Sequence, residues 1–73
     1  MQLAYLRGLK QPETVADMDG DPVVITPRVA YPLLGMSGNF NKEFGLMVLI
    51  VVEGKRIEIP LHSLNIIEYF SSN

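Results

Sequence analysis

The most distinctive polar feature of the sequence is a set of three aspartates that alternate along one short segment. Asp17, Asp19 and Asp21 occupy every second position. Alternating carboxylates open the calcium-binding loop of an EF-hand, which also requires glycine at its sixth position and glutamate at its twelfth. Counted from Asp17, those two positions hold Pro22 and Arg28. The segment therefore predicts an acidic turn at the entrance to a strand, with aspartates that accept hydrogen bonds from nearby backbone N–H groups.

Residues that could act in catalysis are few, and their neighbours do not support a reaction. The chain has no cysteine, and His62 is its single histidine, which excludes a thiol nucleophile and a zinc site built from cysteines or several histidines. Ser63 follows His62, and adjacent side chains on a strand point to opposite faces. Ser37 lies in Gly-Met-Ser-Gly-Asn, which lacks the final glycine of a nucleophile elbow. We therefore predict that the protein is not an enzyme and has no cofactor, metal or catalytic residue.

The negative charge of the chain is concentrated in residues 13–21. The four acids of this segment are Glu13, Asp17, Asp19 and Asp21. From residue 22 onward bases and acids are equal in number, and the whole chain has 6 Lys and Arg against 8 Asp and Glu. Without a basic stripe, direct binding of nucleic acid is disfavoured. A concentrated acidic segment instead favours the docking of a cationic partner.

The length and composition of the chain predict one small folded domain. Its 73 residues, 48% hydrophobic and 19% charged, suit a single domain over residues 1–73, and the order of the two termini is left open. The longest purely apolar run, residues 46–52, is far shorter than the roughly 20 residues that a membrane span requires. The N-terminus lacks the pattern of a secretory signal, so we expect a cytoplasmic protein without membrane contact.

Prolines and glycines divide the chain into short pieces, which favours strands over helices. The segments predicted to be extended are residues 23–26, 44–53, 56–59 and 65–70, with residues 2–7 as a further candidate whose alternation is too short to decide. Residues 44–53 are almost continuously apolar, which indicates burial on both faces of the strand. Gly54 and Lys55 are predicted to form the two-residue turn of a hairpin between this strand and the next.

Other segments allow more than one assignment. Residues 12–18 are compatible with one helical turn that begins near Pro12, and residues 34–41 predict a turn-rich loop. Residues 61–69 fit a short helix or a turn followed by a strand, and their β-branched and aromatic residues favour the strand. Prolines at positions 22, 27 and 32 predict that this stretch lies at a sheet edge or leaves the sheet after Thr26.

The segment from residue 44 to residue 64 resembles the end of an SH3-like barrel. It contains a long apolar strand, the Gly54-Lys55 turn, Ile57-Glu58-Ile59 and then Pro60-Leu61-His62-Ser63-Leu64. In such barrels a strand runs into a short helical turn before the final strand. The predicted fold is therefore mainly β, either a small antiparallel sheet or a partly open SH3-like barrel of four to five strands with a short helical turn.

As a whole, this compact, cysteine-free and mildly acidic chain resembles the small phage-encoded transcription regulators that bind bacterial RNA polymerase. The resemblance covers the general character of the chain and assigns no role to any residue. It implies a non-enzymatic, protein-binding regulator that inhibits or redirects transcription, in some members by antitermination, through contact with a polymerase subunit.

We predict that the acidic segment steers a larger protein and that aromatic and aliphatic residues near the two ends of the chain anchor it. The predicted contact residues are Tyr5, Leu6, Glu13, Asp17, Asp19, Asp21, Tyr69 and Phe70. Two alternatives remain open. In the first, the chain is a small-barrel module that stacks single-stranded nucleic acid on exposed aromatics. In the second, it is a structural subunit that self-associates through a sheet edge.

Overall fold

The computed structural model of the protein describes residues 2–68, with side chains described for residues 2–64. The strands are β1 (Gln2–Leu6), β2 (Glu13–Ala16), β3 (Pro22–Ile25), β4 (Tyr31–Asn41), β5 (Gly45–Val52), β6 (Lys55–Pro60) and β7 (Leu64–Glu68). One 3-10 turn, Leu61–Ser63, joins β6 to β7. Over residues 2–68 no helix has the length and apolar character needed to cross a membrane.

Five of the strands form one antiparallel sheet in the order β6-β5-β4-β1-β7, and β2 pairs with β3 in a separate two-stranded sheet. The final strand returns beside the first, with Leu3 paired to Ile67. A curled sheet with this order, and with a 3-10 turn before its last strand, has the topology of a partly open SH3-like barrel. The predicted mainly β fold is therefore confirmed.

The core lies between the curled sheet and the β2–β3 hairpin. On β3, Val23 and Ile25 are buried while the residues between and before them are exposed, so this short strand turns one face toward the sheet. The buried cluster consists of Ala4, Val23, Ile25, Tyr31, Val48, Ile50, Val52, Ile57, Ile59 and Leu64. Burial of each Val, Ile or Leu side chain contributes about 1.5–3 kcal/mol. The hairpin is thus the cover that closes the core of the sheet.

Strand β5 is covered more completely on one face than on the other. Val48, Ile50 and Val52 alternate along the inner face and are buried. On the outer face Met47 is buried, whereas Leu49 and Val51 are only half-buried. The predicted burial on both faces is therefore complete on the inner face and partial on the outer one.

The hairpin between β5 and β6 is present, but its turn begins one residue earlier than predicted. Val52 pairs with Lys55, so the two central residues are Glu53 and Gly54. Both have positive φ, 53° and 77°, which is the conformation of a type I′ turn. The predicted Gly54-Lys55 turn is wrong because Gly54 serves at the second central position, and Lys55 already belongs to β6.

Two segments that were predicted to lack strands prove to be strands. Residues 12–18 form no helical turn, because β2 pairs with β3 and places Val15 opposite Val23, against the core. Residues 34–41 are not a loop, since β4 continues to Asn41 in register with β5. Irregularities between Leu33 and Gly35 and between Met36 and Phe40 absorb the extra residues of β4.

The remaining predictions of strands hold for the part of the chain that the structure describes. Residues 2–7 contain β1, and the chain leaves its sheet after Ile25, as the prolines indicated. Pro32, however, lies within β4, where it pairs with Leu3. The segment after Leu64 is a strand as far as Glu68, and Tyr69 and Phe70 lie outside the described residues.

Candidate functional site

Asp17 organises the acidic loop between β2 and β3. Its Oδ1 atom accepts hydrogen bonds from the backbone N–H groups of Asp19 at 2.8 Å and Asp21 at 2.9 Å. The Asp17 N–H donates to the Asp21 carbonyl at 2.8 Å, and the Gly20 N–H donates to the Asp17 carbonyl at 3.0 Å. The residue is only 8% exposed. The expectation that an aspartate would satisfy local backbone donors is therefore confirmed at Asp17.

The acidic loop is attached to the β5–β6 hairpin by two ion pairs and one backbone hydrogen bond. Lys55 Nζ lies 3.6 Å from Asp17 Oδ2 and 3.8 Å from Asp21 Oδ2, and the Met18 N–H donates to the Arg56 carbonyl at 2.9 Å. The ammonium group of Lys55 reduces the repulsion between the two carboxylates. The loop is therefore a fixed part of the fold and not an independent acidic tail.

The environment of Asp17 favours its ionised form. The backbone N–H of Asp21 lowers the pKa of the Asp17 carboxyl most strongly, with further lowering by the Asp19 N–H and by Lys55. Partial removal from water raises the pKa and opposes these effects without cancelling them. Asp17 thus acts as an internal anion that holds the loop together.

The β2–β3 hairpin and its loop display exposed carboxylates and exposed apolar groups. Val24 pairs with Thr14 on the face that points away from the core, and Val24 and Met18 are each 46% exposed. Asp19, Asp21 and Glu13 are also exposed. We call Met18, Asp19, Asp21 and Val24 the acidic hairpin surface. Glu13 pairs with the buried Ile25, so it lies on the other face of the hairpin from Val24.

The other predicted contact residues lie elsewhere in the described part of the chain. Tyr5 and Leu6 are half-buried on β1, and Leu6 packs against the core cluster. In the order of the sheet, β5 and β4 separate β1 from β6, to which the acidic loop is fastened. The structure therefore brings Asp17, Asp19 and Asp21 together and places Tyr5 and Leu6 on a different strand. Tyr69 and Phe70, the other two predicted anchors, are outside the described residues.

A second exposed surface lies at the far end of the β4–β5 hairpin, and the sequence analysis did not find it. Pairing of β1 with β4 reaches only Pro32, and pairing of β6 with β5 begins at Met47. Residues 33–46 therefore extend beyond the neighbouring strands on one or both sides, and we call them the β4–β5 arm. The exposed apolar residues of the arm are Leu34 (57%), Met36 (55%), Phe40 (70%), Phe44 (44%) and Leu46 (49%).

The apolar residues of the arm continue the core face of the sheet past its cover. Leu46 lies two residues before the buried Val48, and residues two apart on a strand share a face. Phe40 pairs with Leu46, and Met36 pairs with Val48. Cross-strand partners lie on the same face. The missed signal was the alternation of apolar residues at positions 34 and 36, which the surrounding glycines concealed.

Polar contacts hold the arm in place. The Asn39 side-chain amide donates to Glu58 Oε2 at 2.7 Å. This bond, followed by a bond from the Ser37 hydroxyl, lowers the pKa of Glu58. At the tip, Asn41 Oδ1 accepts hydrogen bonds from the backbone N–H groups of Glu43 at 2.8 Å and Phe44 at 3.0 Å. The apolar residues of the arm are therefore displayed on a defined hairpin.

Within residues 2–68, no group of three or more His, Cys, Asp or Glu side chains is arranged to hold a metal ion, and no pocket is found. No family model, curated protein or solved structure matches this chain. The features that remain for a function are two exposed surfaces, the acidic hairpin surface and the β4–β5 arm.

Proposed function

We propose that this chain is a non-enzymatic protein-binding regulator and that it contacts its partner through the acidic hairpin surface. The observation that carries the proposal is the exposure of Met18 and Val24 on a hairpin that also displays Asp19 and Asp21. Protein interfaces combine apolar groups that leave water with a charged rim that stays near it. This surface offers both kinds of group.

The internal contacts of the loop favour binding because they reduce the entropy that is lost on association. Asp17 fixes the loop through backbone N–H groups, and Lys55 ties it to the β5–β6 hairpin. A preorganised loop has fewer conformations to lose when a partner docks. Asp17 in this proposal is a positioning residue, while Asp19 and Asp21 face the partner.

The partner in this proposal has a basic surface, and its specific candidate is a subunit of bacterial RNA polymerase. The charge of the acidic hairpin surface supports the first statement, because opposite charges steer two proteins toward each other. The second rests on the resemblance of the chain to small phage-encoded transcription regulators. The expected effect of binding is inhibition of transcription or a change in its termination.

Binding to purified bacterial RNA polymerase tests the proposal directly. The chain is titrated onto immobilised core enzyme and holoenzyme, and we expect saturable binding whose association rate falls as salt is added. Asp19→Lys should weaken the affinity about tenfold, equivalent to about 1.4 kcal/mol. Glu43→Lys is the matched control, since it makes the same charge change at another exposed position on the arm.

The outcomes separate the parts of the proposal. If the chain does not bind polymerase at roughly 10 µM, its binding free energy is weaker than about −7 kcal/mol. Polymerase is then ruled out as the partner. Equal weakening by Asp19→Lys and Glu43→Lys removes the acidic hairpin surface as the contact. A labelled single-stranded oligonucleotide is titrated in parallel at low salt, and tight, salt-sensitive binding would replace the proposal with nucleic-acid recognition.

A further inference from the structure

The edge of β4 is open along most of its length. Its pairing with β1 covers only Tyr31 and Pro32, whereas the strand continues for nine more residues, to Asn41. An open strand edge presents backbone N–H and C=O groups that can pair with another strand. Within the described part of the chain, β5 is the only strand registered against residues 33–41.

This edge lacks several of the features that normally prevent strand addition, although β4 contains two irregularities, between Leu33 and Gly35 and between Met36 and Phe40. Residues 29–41 contain no charged side chain. Natural edge strands are usually protected by lysine or another charge, by proline or by short length. Pro32 is the single proline in β4, and it lies at the end that β1 already covers. The eleven residues of β4 also exceed the usual strand length of about five or six.

A second copy of the same chain is the occupant that this edge fits. Two antiparallel β4 strands related by a two-fold axis would present the same neutral segment to each other, so no like charges would meet. Leu34 and Phe40 lie on either side of the irregularity between Met36 and Phe40, close to the middle of this neutral segment. Both side chains are exposed in the single chain.

The apolar surface of the arm is large enough for such a pair. The exposed fractions of its five large apolar residues correspond to about 500 Å² per copy, within the range of the largest apolar patches on monomers. Complete burial of all five side chains in both copies would reach the roughly 1,000 Å² at which specific interfaces begin. Interfaces at this lower limit belong to weak or transient complexes, so we expect a dimer that forms only at high protein concentration.

We propose that two copies of this chain associate through the open edge of β4 and the exposed apolar side chains of the β4–β5 arm. The proposal goes beyond the proposed function, because it uses a different surface. Each copy in the dimer keeps its acidic hairpin surface available for a partner.

Sedimentation equilibrium of the full chain over about 1–500 µM tests the proposal, and the apparent mass should rise from that of a monomer toward that of a dimer. Phe40→Lys and Leu34→Lys should each raise the dissociation constant at least tenfold, because a charge would have to leave water at the interface. Val24→Lys is the matched control, since it places the same charge at an exposed apolar position on β3. Circular dichroism of each variant checks that the fold is retained.

A chain that stays monomeric over the whole range overturns the proposal. So does a dimer that Val24→Lys weakens as much as Phe40→Lys. If Phe40→Lys instead reduces binding to RNA polymerase while the unmodified chain remains monomeric, the arm belongs to a contact with another protein. Failure of polymerase binding alone leaves the sedimentation result unaffected, so this proposal and the proposed function fail separately.

Discussion

The β2–β3 hairpin and the β4–β5 hairpin share an antiparallel design, but they use their apolar residues differently. On β3, Val23 and Ile25 are buried against the sheet, Val24 is exposed on the opposite face, and the loop before β3 carries exposed carboxylates. On the arm, Met36, Phe40 and Leu46 continue the core face and remain exposed. An apolar strand face is therefore not buried simply because it is apolar, since its burial depends on whether another element packs against it.

The two hairpins also differ in charge. The β2–β3 hairpin and its loop carry four acids, whereas the β4–β5 hairpin carries only Lys42 and Glu43, both in its turn, and has no net charge. Charge on the first hairpin keeps it hydrated and favours a basic partner. The neutral second hairpin is suited to contact with an equally neutral surface. The chain thus has an acidic contact surface on one hairpin and an apolar contact surface on the other.

The largest expected difference between the regions is in stability. Ile50 is fully buried beneath the β2–β3 cover, and Phe40 is mostly exposed on the arm. Ile50→Ala should reduce the free energy of unfolding by about 2–5 kcal/mol. Phe40→Ala should change it by less than about 0.5 kcal/mol. Urea unfolding measures both, at a protein concentration where the unmodified chain is monomeric, and a large loss in Phe40→Ala would show that the arm is part of the core.

A smaller effect is expected from the residue that fixes the acidic loop. Asp17→Ala removes the acceptor of two backbone N–H groups and the main partner of Lys55, so the melting temperature should fall. Asp19→Ala, in the same loop but exposed, is the control and should leave the melting temperature nearly unchanged. Amide hydrogen exchange should then increase in residues 17–25 and not in the arm. Equal destabilisation by the two variants would contradict the role assigned to Asp17.

The smallest expected effect is the pH dependence of the free energy of unfolding. It involves Asp17, which holds the β2–β3 loop, and Glu58, which accepts a hydrogen bond from Asn39 of the arm. The pKa values of Asp17 and Glu58 are both lowered in the folded chain. Their contribution to stability is therefore fully present above the ordinary carboxyl pKa of about 4, and it is lost as the pH falls through the lowered values of the folded state. Urea midpoints measured from about pH 7 to about pH 2.5 should show this loss.

Two variants assign the acid-dependent part of the stability to its sources. Asp17→Asn and Glu58→Gln should each flatten the pH profile, because the substituted amide does not titrate in this range. Glu58→Gln should also release the Asn39 side chain and raise amide exchange in the arm. A profile that keeps its full slope in both variants would show that other carboxylates control the acid transition.

The sequence allowed the main sheet to be predicted where local signals agree. The apolar run of β5, the alternation of β6 and the glycine between them point to one hairpin, and only the position of the turn was shifted by one residue. β2 was missed because Pro12, just before it, suggested the start of a helical turn, and β4 was missed because its glycines resemble loop signals. Their strand character depends on pairing with distant segments and on irregularities that absorb extra residues.

The candidate site was predictable only in part, for the same physical reason. The sequence placed an acidic turn at Asp17, since aspartates near glycine bind local N–H groups. The contact with Lys55 joins residues far apart in the chain, and no local pattern indicates it. The arm was hidden because exposure of Phe40 and Leu46 is decided by where the neighbouring strands end.

The attachment of the acidic loop to Lys55 and Arg56 has a consequence for the order of folding. Those two residues follow the β5–β6 turn, so the loop finds its anchor only after that local hairpin has formed. A contact between such distant parts of the chain requires closure of a long loop, which is slow compared with hairpin formation. We therefore expect the β2–β3 cover to dock on the sheet after the β5–β6 hairpin has formed.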